Sequence, residues 1–382
     1  MNTPADMSRR NFLKLSTAAA VGLTVAGMVR PAFAADVKVR KVTLDAIPED
    51  AVACAKSSEL VQRAWDYLLN EINALHDASL RDKVMSFYAN TVPTFMQKYQ
   101  FSADVKTVYV KLQNADLVDP AKTPVDKLFP PLKDLSTNPQ PFFSAPGSGY
   151  ASHHSYPGGL VTHTAVNVEI TKAVLGAYKN VMDYEYGYDI TVAAQLLHDL
   201  AKPWVFQWQK DGSCLKEYTV AGTGAHHIFS VAESIYRGMP ADEVVAQACA
   251  HNHPGSSADE AQVVNWIKAA AILAGVNPVA AGLLGADAKT LPTPHQQAGY
   301  IVHLGDHDWV LSVPAAQSSV AMLQRVAKNN YGMSDQDLKG IKFNKFRNYI
   351  GAQYSFMHVN QALVVGDAFK SAATIAESVI SK

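Results

Sequence analysis

The strongest constraint on this chain is that its most apolar helical stretches carry imidazoles and carboxylates. His198 and Asp199 follow Leu196-Leu197 directly and precede Leu200-Ala201. His163 lies in Gly158-Gly159-Leu160-Val161-Thr162-His163-Thr164. His226-His227 opens the stretch from Ala225 to Tyr236, and His251 closes the apolar run that begins at Ala241. Asp306 stands in His303-Leu304-Gly305-Asp306-His307-Asp308. One histidine on a helix is ordinarily a packed or surface residue. A buried carboxylate beside a buried imidazole is costly unless paired or bound to a cation. Repeating that cost on several helices predicts a shared metal site inside a helical bundle. Neutral imidazole binds first-row transition metals, and a carboxylate has two oxygens that can bridge two ions. Successive residues sit about 100° apart on a helix. His198 and Asp199 therefore cannot point the same way, but both can meet a metal pair lying between them, with Asp199 as the bridge.

The periodicity supports a mainly α fold with scarce strand signals. From about Val52 to Gln113, Leu60, Ala64, Tyr67, Leu68 and Ile72 recur at helical spacing, as do Val84, Phe87, Tyr88 and Val92. Between Asp119 and Gly149 the prolines at 120, 124, 130, 131, 139, 141 and 146 forbid a continuous helix. Helices are expected again at Gly158–Tyr178, Ile190–Ala201 (ended by Pro203), Ala225–Tyr236, Ala241–His251 and Gln296–Val310, with a short hairpin around Asp211-Gly212. The expected segments are 1–34 as an export signal, 35–118 as N-terminal helices, 119–151 as a Pro-rich connection, 152–311 as the metal-binding bundle and 312–382 as a C-terminal helical extension.

Composition limits the function. With 48% hydrophobic residues the chain can bury a sizeable core. A formal charge of -1 argues against bulk nucleic-acid binding through displaced counterions. Cys54, Cys214 and Cys249 are too scattered for a disulfide framework, allow at most one pair, and give no sign of which. The N-terminus reads as an address. Arg9-Arg10 precede a short apolar run from Leu15 to Val29, then Arg30 and an Ala32-Phe33-Ala34 cleavage pattern. This resembles a twin-arginine (Tat) export signal, which implies the Tat translocase as a partner and a periplasmic or otherwise exported location. No later run is long enough for a stable membrane span.

The order His163, His198-Asp199, His227, His251, Asp306 resembles the HD-domain superfamily of metal-dependent phosphohydrolases. Gly-Gly-Leu-x-x-His-Thr and Leu-Leu-His-Asp-Leu-Ala-Lys resemble the branch containing HD-type 3'–5' exoribonucleases. The resemblance covers about Ser152 to Val310 and implies an HD-domain helical bundle. It also implies two divalent transition-metal ions (Fe, Mn, Co, Ni or Zn). The positions matching His163, His198, Asp199 and Asp306 hold one, and those matching Asp199, His227 and His251 the other. His227 is preferred to His226 because His-Ile-x-x-x-x-Glu follows the family's helix pattern, and His251 to His253 because a helix-breaking proline follows His253. Asp308 is a rival to Asp306. The implied activity is hydrolysis of a phosphate mono- or diester on a small substrate, perhaps a nucleotide, by a metal-activated hydroxide positioned by Asp199.

Lys202 matches the family's His-Asp-x-x-Lys pattern and is expected to neutralise a phosphate oxygen, against the alternative of a plain surface lysine at a helix end. His153, His154, His226 and His253 are candidate substrate contacts. Arg325, Lys328, Lys342, Lys345 and Arg347 read as an ordinary charged face. Two other functions fit the same ligand types: a di-iron oxygenase resembling myo-inositol oxygenase, and a non-catalytic metal-binding module.

Overall fold

Capping side chains and apolar stripes set the first helices of the computed structural model, which describes residues 37–150, 152–293 and 295–382. The twin-arginine segment lies outside them. Asp50 accepts from the Ala53 amide to start α1 (Ala51–Lys56), and Ser58 accepts from Val61 to start α2 (Glu59–Asn73). Asp77 caps α3 (Ala78–Ala89), and α4 follows (Ser102–Asn114). The recurring apolar positions are the buried ones: Leu60, Ala64, Tyr67, Leu68 and Ile72 on α2, and Val84, Phe87 and Tyr88 on α3.

From Ala115 to Gly158 the described chain forms only turns and short 3-10 pieces at Val125–Lys127 and Phe142–Ser144, as the prolines require. The end of this strap is buried. Gln140 donates to the Phe206 carbonyl, and Trp208 donates its indole N–H to the Ser144 carbonyl. Trp204 and Phe206 are core residues.

The central helices are α5 (Gly159–Met182), α6 (Tyr188–Leu197), the short α7 (Lys202–Val205), α8 (Ala225–Tyr236), α9 (Ala241–Ala248), α10 (Ser257–Ala274) and α11 (His295–Gly305). Helix α5 packs against α2, α6 and α11; α9 packs against α6 and α11; α8 packs against α10. The chain turns at Asp211-Gly212, where Trp208 bridges Cys214 and Gly212 takes φ +77°. A second small hairpin pairs Thr219–Val220 with Thr223–Gly224.

Four boundaries near the site differ from the sequence reading; one is the helix expected from Ala241 to His251, which ends at Ala248. The helix expected to reach Ala201 stops at Leu197, because Leu200 N–H turns back to Leu197 O and Lys202 N–H to Asp199 O in tighter i→i+3 bonds. Pro203 sits in the first turn of α7 rather than ending a helix. The helix expected from Gln296 to Val310 breaks at Asp306–Asp308, between α11 and the next helix. Each break falls at a candidate ligand.

The C-terminal layer is α12 (Trp309–Tyr331), α13 (Ile341–Val365, kinked at Ser355) and α14 (Ala368–Val379). Its core of Leu323, Phe343, Phe346, Tyr349 and Val379 also takes in Ile47, Cys54 and Tyr156. Val42–Thr43 pairs in parallel with Ile380–Ser381. Residues of the segments 35–118, 152–311 and 312–382 thus meet in one core. Arg347 departs from the expected charged face. It is 1% exposed and donates to the Tyr150 carbonyl and to the carbonyl and hydroxyl of Ser155. All three cysteines are free. Among the described residues, no helix is long and apolar enough to cross a membrane.

Candidate metal centre

Five elements converge on one buried point. Helix α5 brings His163, the turn after α6 brings His198 and Asp199, α8 brings His226, and the segment after α9 brings His251. Asp306 arrives from the break after α11. His163 Nε2 lies 3.0 Å from Asp199 Oδ2 and 3.4 Å from Asp306 Oδ1. His198 Nε2 lies 3.1 and 3.3 Å from the same two oxygens. On the other side His226 Nε2 is 3.4 Å from Asp199 Oδ1, and His251 Nε2 is 3.6 Å from Asp306 Oδ2. Each carboxylate thus turns one oxygen to His163 and His198 and the other to a second histidine.

These separations have the size of a coordination shell. Two ligand atoms about 2.1 Å from one ion lie about 3.0 Å apart when at right angles. The groups His163–His198–Asp306 and Asp199–His226–His251 each have ligand atoms within 4.8 Å of one another. Asp199 Oδ1 and His226 Nε2 are buried without a properly oriented hydrogen bond, and Lys202 reaches only Asp199 Oδ2; for Oδ1 that is a costly state unless a further cation completes it. The donor set of imidazole and carboxylate suits divalent transition metals.

The far side of the rings is held by residues the sequence reading did not single out. His198 Nδ1–H donates to the Gln195 carbonyl at 2.6 Å, which turns Nε2 inward as the atom that would ligate a metal. Glu217, in the segment before the small hairpin, meets His226 Nδ1 at 2.5 Å and its backbone N–H at 2.9 Å. Asn167, one turn after His163 on α5, donates to Asp306 Oδ1 at 2.8 Å. The only available signal for Asn167 was its i+4 spacing from His163; Glu217 carried none.

His226, not the expected His227, stands with Asp199 and His251. His227 Nε2 is 3.0 Å from the Ala248 carbonyl, and its ring stacks on His251 at 4.2 Å between centroids. Burial pushes the His227 imidazole down to about 3. His253 lies apart from these groups, stacked on Tyr300 and 5.0 Å from the ring of His303. His153 and His154 group instead with Asp308 and His163.

Lys202 is no surface lysine. It is 3% exposed, its Nζ is 2.5 Å from Asp199 Oδ2, and it donates to the Gly147 carbonyl. The electrostatics follow. Burial pushes His163 and His198 down, but Asp199 and Asp306 outweigh it and hold them at about 9 and about 10. Burial pushes Asp199 up, but His198 and Lys202 bring it well below the usual carboxylate range. The two carboxylates thus draw positive charge to this spot.

Backbone geometry makes room for this. Gly158 takes φ +83°, and a Cβ on Gly159 would lie 1.8 Å from the His154 carbonyl oxygen. Only a Gly-Gly pair lets the strap pass so close to the start of α5.

Fold and side chains define a helical bundle with a buried histidine–aspartate centre able to hold metal. Over 99 residues the chain is 30% identical to the dihydroneopterin 2',3'-cyclic phosphate phosphodiesterase of Methanocaldococcus jannaschii, a stretch covering 26% of this chain and 39% of that one. The chain therefore matches well under half the length of that curated relative. No family model and no solved structure matches it.

Proposed function

We propose that this chain is an exported metal-dependent phosphohydrolase that cleaves a phosphate mono- or diester of a small molecule at a two-metal centre. The observation that carries the reading is the division of Asp199. Oδ2 faces His163 and His198 while Oδ1 faces His226. The partial similarity to a phosphodiesterase supports the ester class. The twin-arginine stretch supports export through the Tat translocase.

His163, His198, Asp199 and Asp306 would hold one ion, and Asp199, His226 and His251 the other. When bound, such cations polarise a phosphoryl oxygen and lower the pKa of water toward neutrality. The chain's own residues supply the rest. The Lys202 ammonium stands beside Asp199 Oδ2, where it offsets negative charge arriving with a phosphate. The Gln195 carbonyl and Glu217 fix the far nitrogens of His198 and His226, so the near ones face inward. Burial of the cluster keeps each of these interactions strong.

The test is element analysis of the full chain purified from the exported fraction, then turnover on a panel of phosphate mono- and diesters that includes 2',3'-cyclic phosphates. Hydrolysis of at least one ester, lost on chelation and restored by a divalent metal, is expected. A metal-loaded chain inert on the whole panel, or one that consumes oxygen when loaded with iron, overturns the proposal.

A further inference from the structure

His163 has a second face, and the phosphohydrolase reading makes no use of it. His153, His154, His163 and Asp308 offer ligand atoms that all lie within 4.8 Å of one another. The turn before α5 brings the first two, α5 the third, and the start of α12 the fourth. His153 is 9% exposed, and the other three side chains are 8% or less.

Two of these imidazoles carry buried nitrogens with nothing to bond. His153 Nδ1 and His163 Nδ1 have no hydrogen-bond partner. His163 Nδ1 is 3.7 Å from Asp308 Oδ2, within reach of charge attraction but too far for a hydrogen bond. The His153 and His163 rings meet edge-on at 4.8 Å between centroids. His154 is held on both sides, with Nε2 at 2.8 Å from Asp308 Oδ2 and Nδ1 at 3.1 Å from the Tyr156 hydroxyl. Two orphaned ring nitrogens in one spot are costly, and a single ligand could satisfy both. The Asp308 carboxylate in the same spot selects a cation over an anion.

The backbone here is also under constraint. His154 takes φ +47°, a conformation a β-carbon disfavours. Arg347 clamps the same turn through Tyr150 and Ser155.

We propose that His153, His154, Asp308 and the Nδ1 atom of His163 form a further cation site, selective for a first-row divalent ion such as zinc or cobalt(II). Three nitrogens and one carboxylate oxygen suit such an ion, and four protein donors match a closed, structural centre. Filled, it ties the turn containing residues 153–156 to α5 and to the start of α12. His163 turns Nε2 to Asp199 and Nδ1 to Asp308. With both centres filled, the ring would bridge them through its two nitrogens, both ring protons having gone to solvent. The inference rests on the phosphohydrolase reading only through this shared ring.

The experiment counts cobalt per chain on full-length protein, stripped with chelator and dialysed against cobalt(II). Asp308→Ala and His153→Ala are each expected to bind one equivalent fewer than the parent. Asp199→Ala is expected to keep that equivalent, and Asp199→Ala with Asp308→Ala to bind none. Equal cobalt in the parent, Asp308→Ala and His153→Ala overturns the inference and leaves the two-metal reading untouched. Loss of one equivalent in Asp308→Ala with no change in Asp199→Ala supports the inference and overturns that reading.

Discussion

Asp199 concentrates the chemistry of this protein in one side chain. Burial alone would drive its carboxyl to the neutral form, yet His198, Lys202 and His163 keep it ionised. Removing it takes the carboxylate partner from Lys202 and leaves His163 and His198 to share Asp306 alone. Asp199→Ala is therefore expected to lose the metal of the Asp199 centre and to lower phosphoester turnover by about a thousandfold or more, read by element analysis and initial rates. Glu217 acts one step back, through His226. Glu217→Gln is expected to weaken metal binding by about 10- to 100-fold with the fold intact, measured by titration with a competing chelator. Most of the cluster was legible in the sequence because imidazoles and carboxylates inside apolar helices have few other reasons to be there. The choice between His226 and His227 was not legible. Neighbours on a helix differ by about 100°, and only packing against Ala248 and Glu217 decides which one turns inward.

At the scale of elements, the breaks matter as much as the helices. The sequence reading carried helices through His198 and through Asp306, because apolar periodicity continues past both. The chain instead leaves α6 at Leu197 and α11 at Gly305, and the ligands sit in the turns. Periodicity reports which face is buried but is blind to a change from i→i+4 to i→i+3 bonding. The proline count did locate the strap, though not its destination beneath Trp208 and against Lys202. The crossing of this strap over the start of α5 depends on Gly159. Gly159→Ala pushes a methyl into the His154 carbonyl, where the obstacle is backbone rather than a flexible side chain. A loss of about 1–3 kcal/mol or more is expected, with metal affinity falling in parallel because His153 and His154 lie on that strap and Lys202 donates to it. Denaturant unfolding alongside metal titration checks both.

For the whole molecule, the shared core and one unpaired acid set how stability responds to conditions. The N-terminal strand pairs with the last residues of the chain, and Ile47 and Tyr156 pack among the C-terminal helices. Loosening the C-terminal layer therefore also loosens the turn carrying His153 and His154. Glu243 lies outside the metal cluster, at the start of α9, 0% exposed and with neither carboxyl oxygen bonded. Burial, reinforced by Asp242, raises its pKa well above the ordinary value, so the folded protein holds a proton there that the unfolded chain releases. The sign follows from linkage. A group with a raised folded pKa contributes most below its unfolded pKa, about 4.3 for glutamate, and loses that contribution as pH rises through the folded value. Glu243→Met removes the titration while keeping similar volume. It is expected to stabilise the fold at pH 7 by about 1–3 kcal/mol, the usual penalty of an unpaired buried polar group. The gain should shrink toward pH 4, where the parent carboxyl is protonated in the folded state and mostly so in the unfolded one. Urea unfolding of the two proteins between pH 4 and pH 8 tests this. A gain that stays constant across the range would mean that the difference comes from packing rather than from the proton.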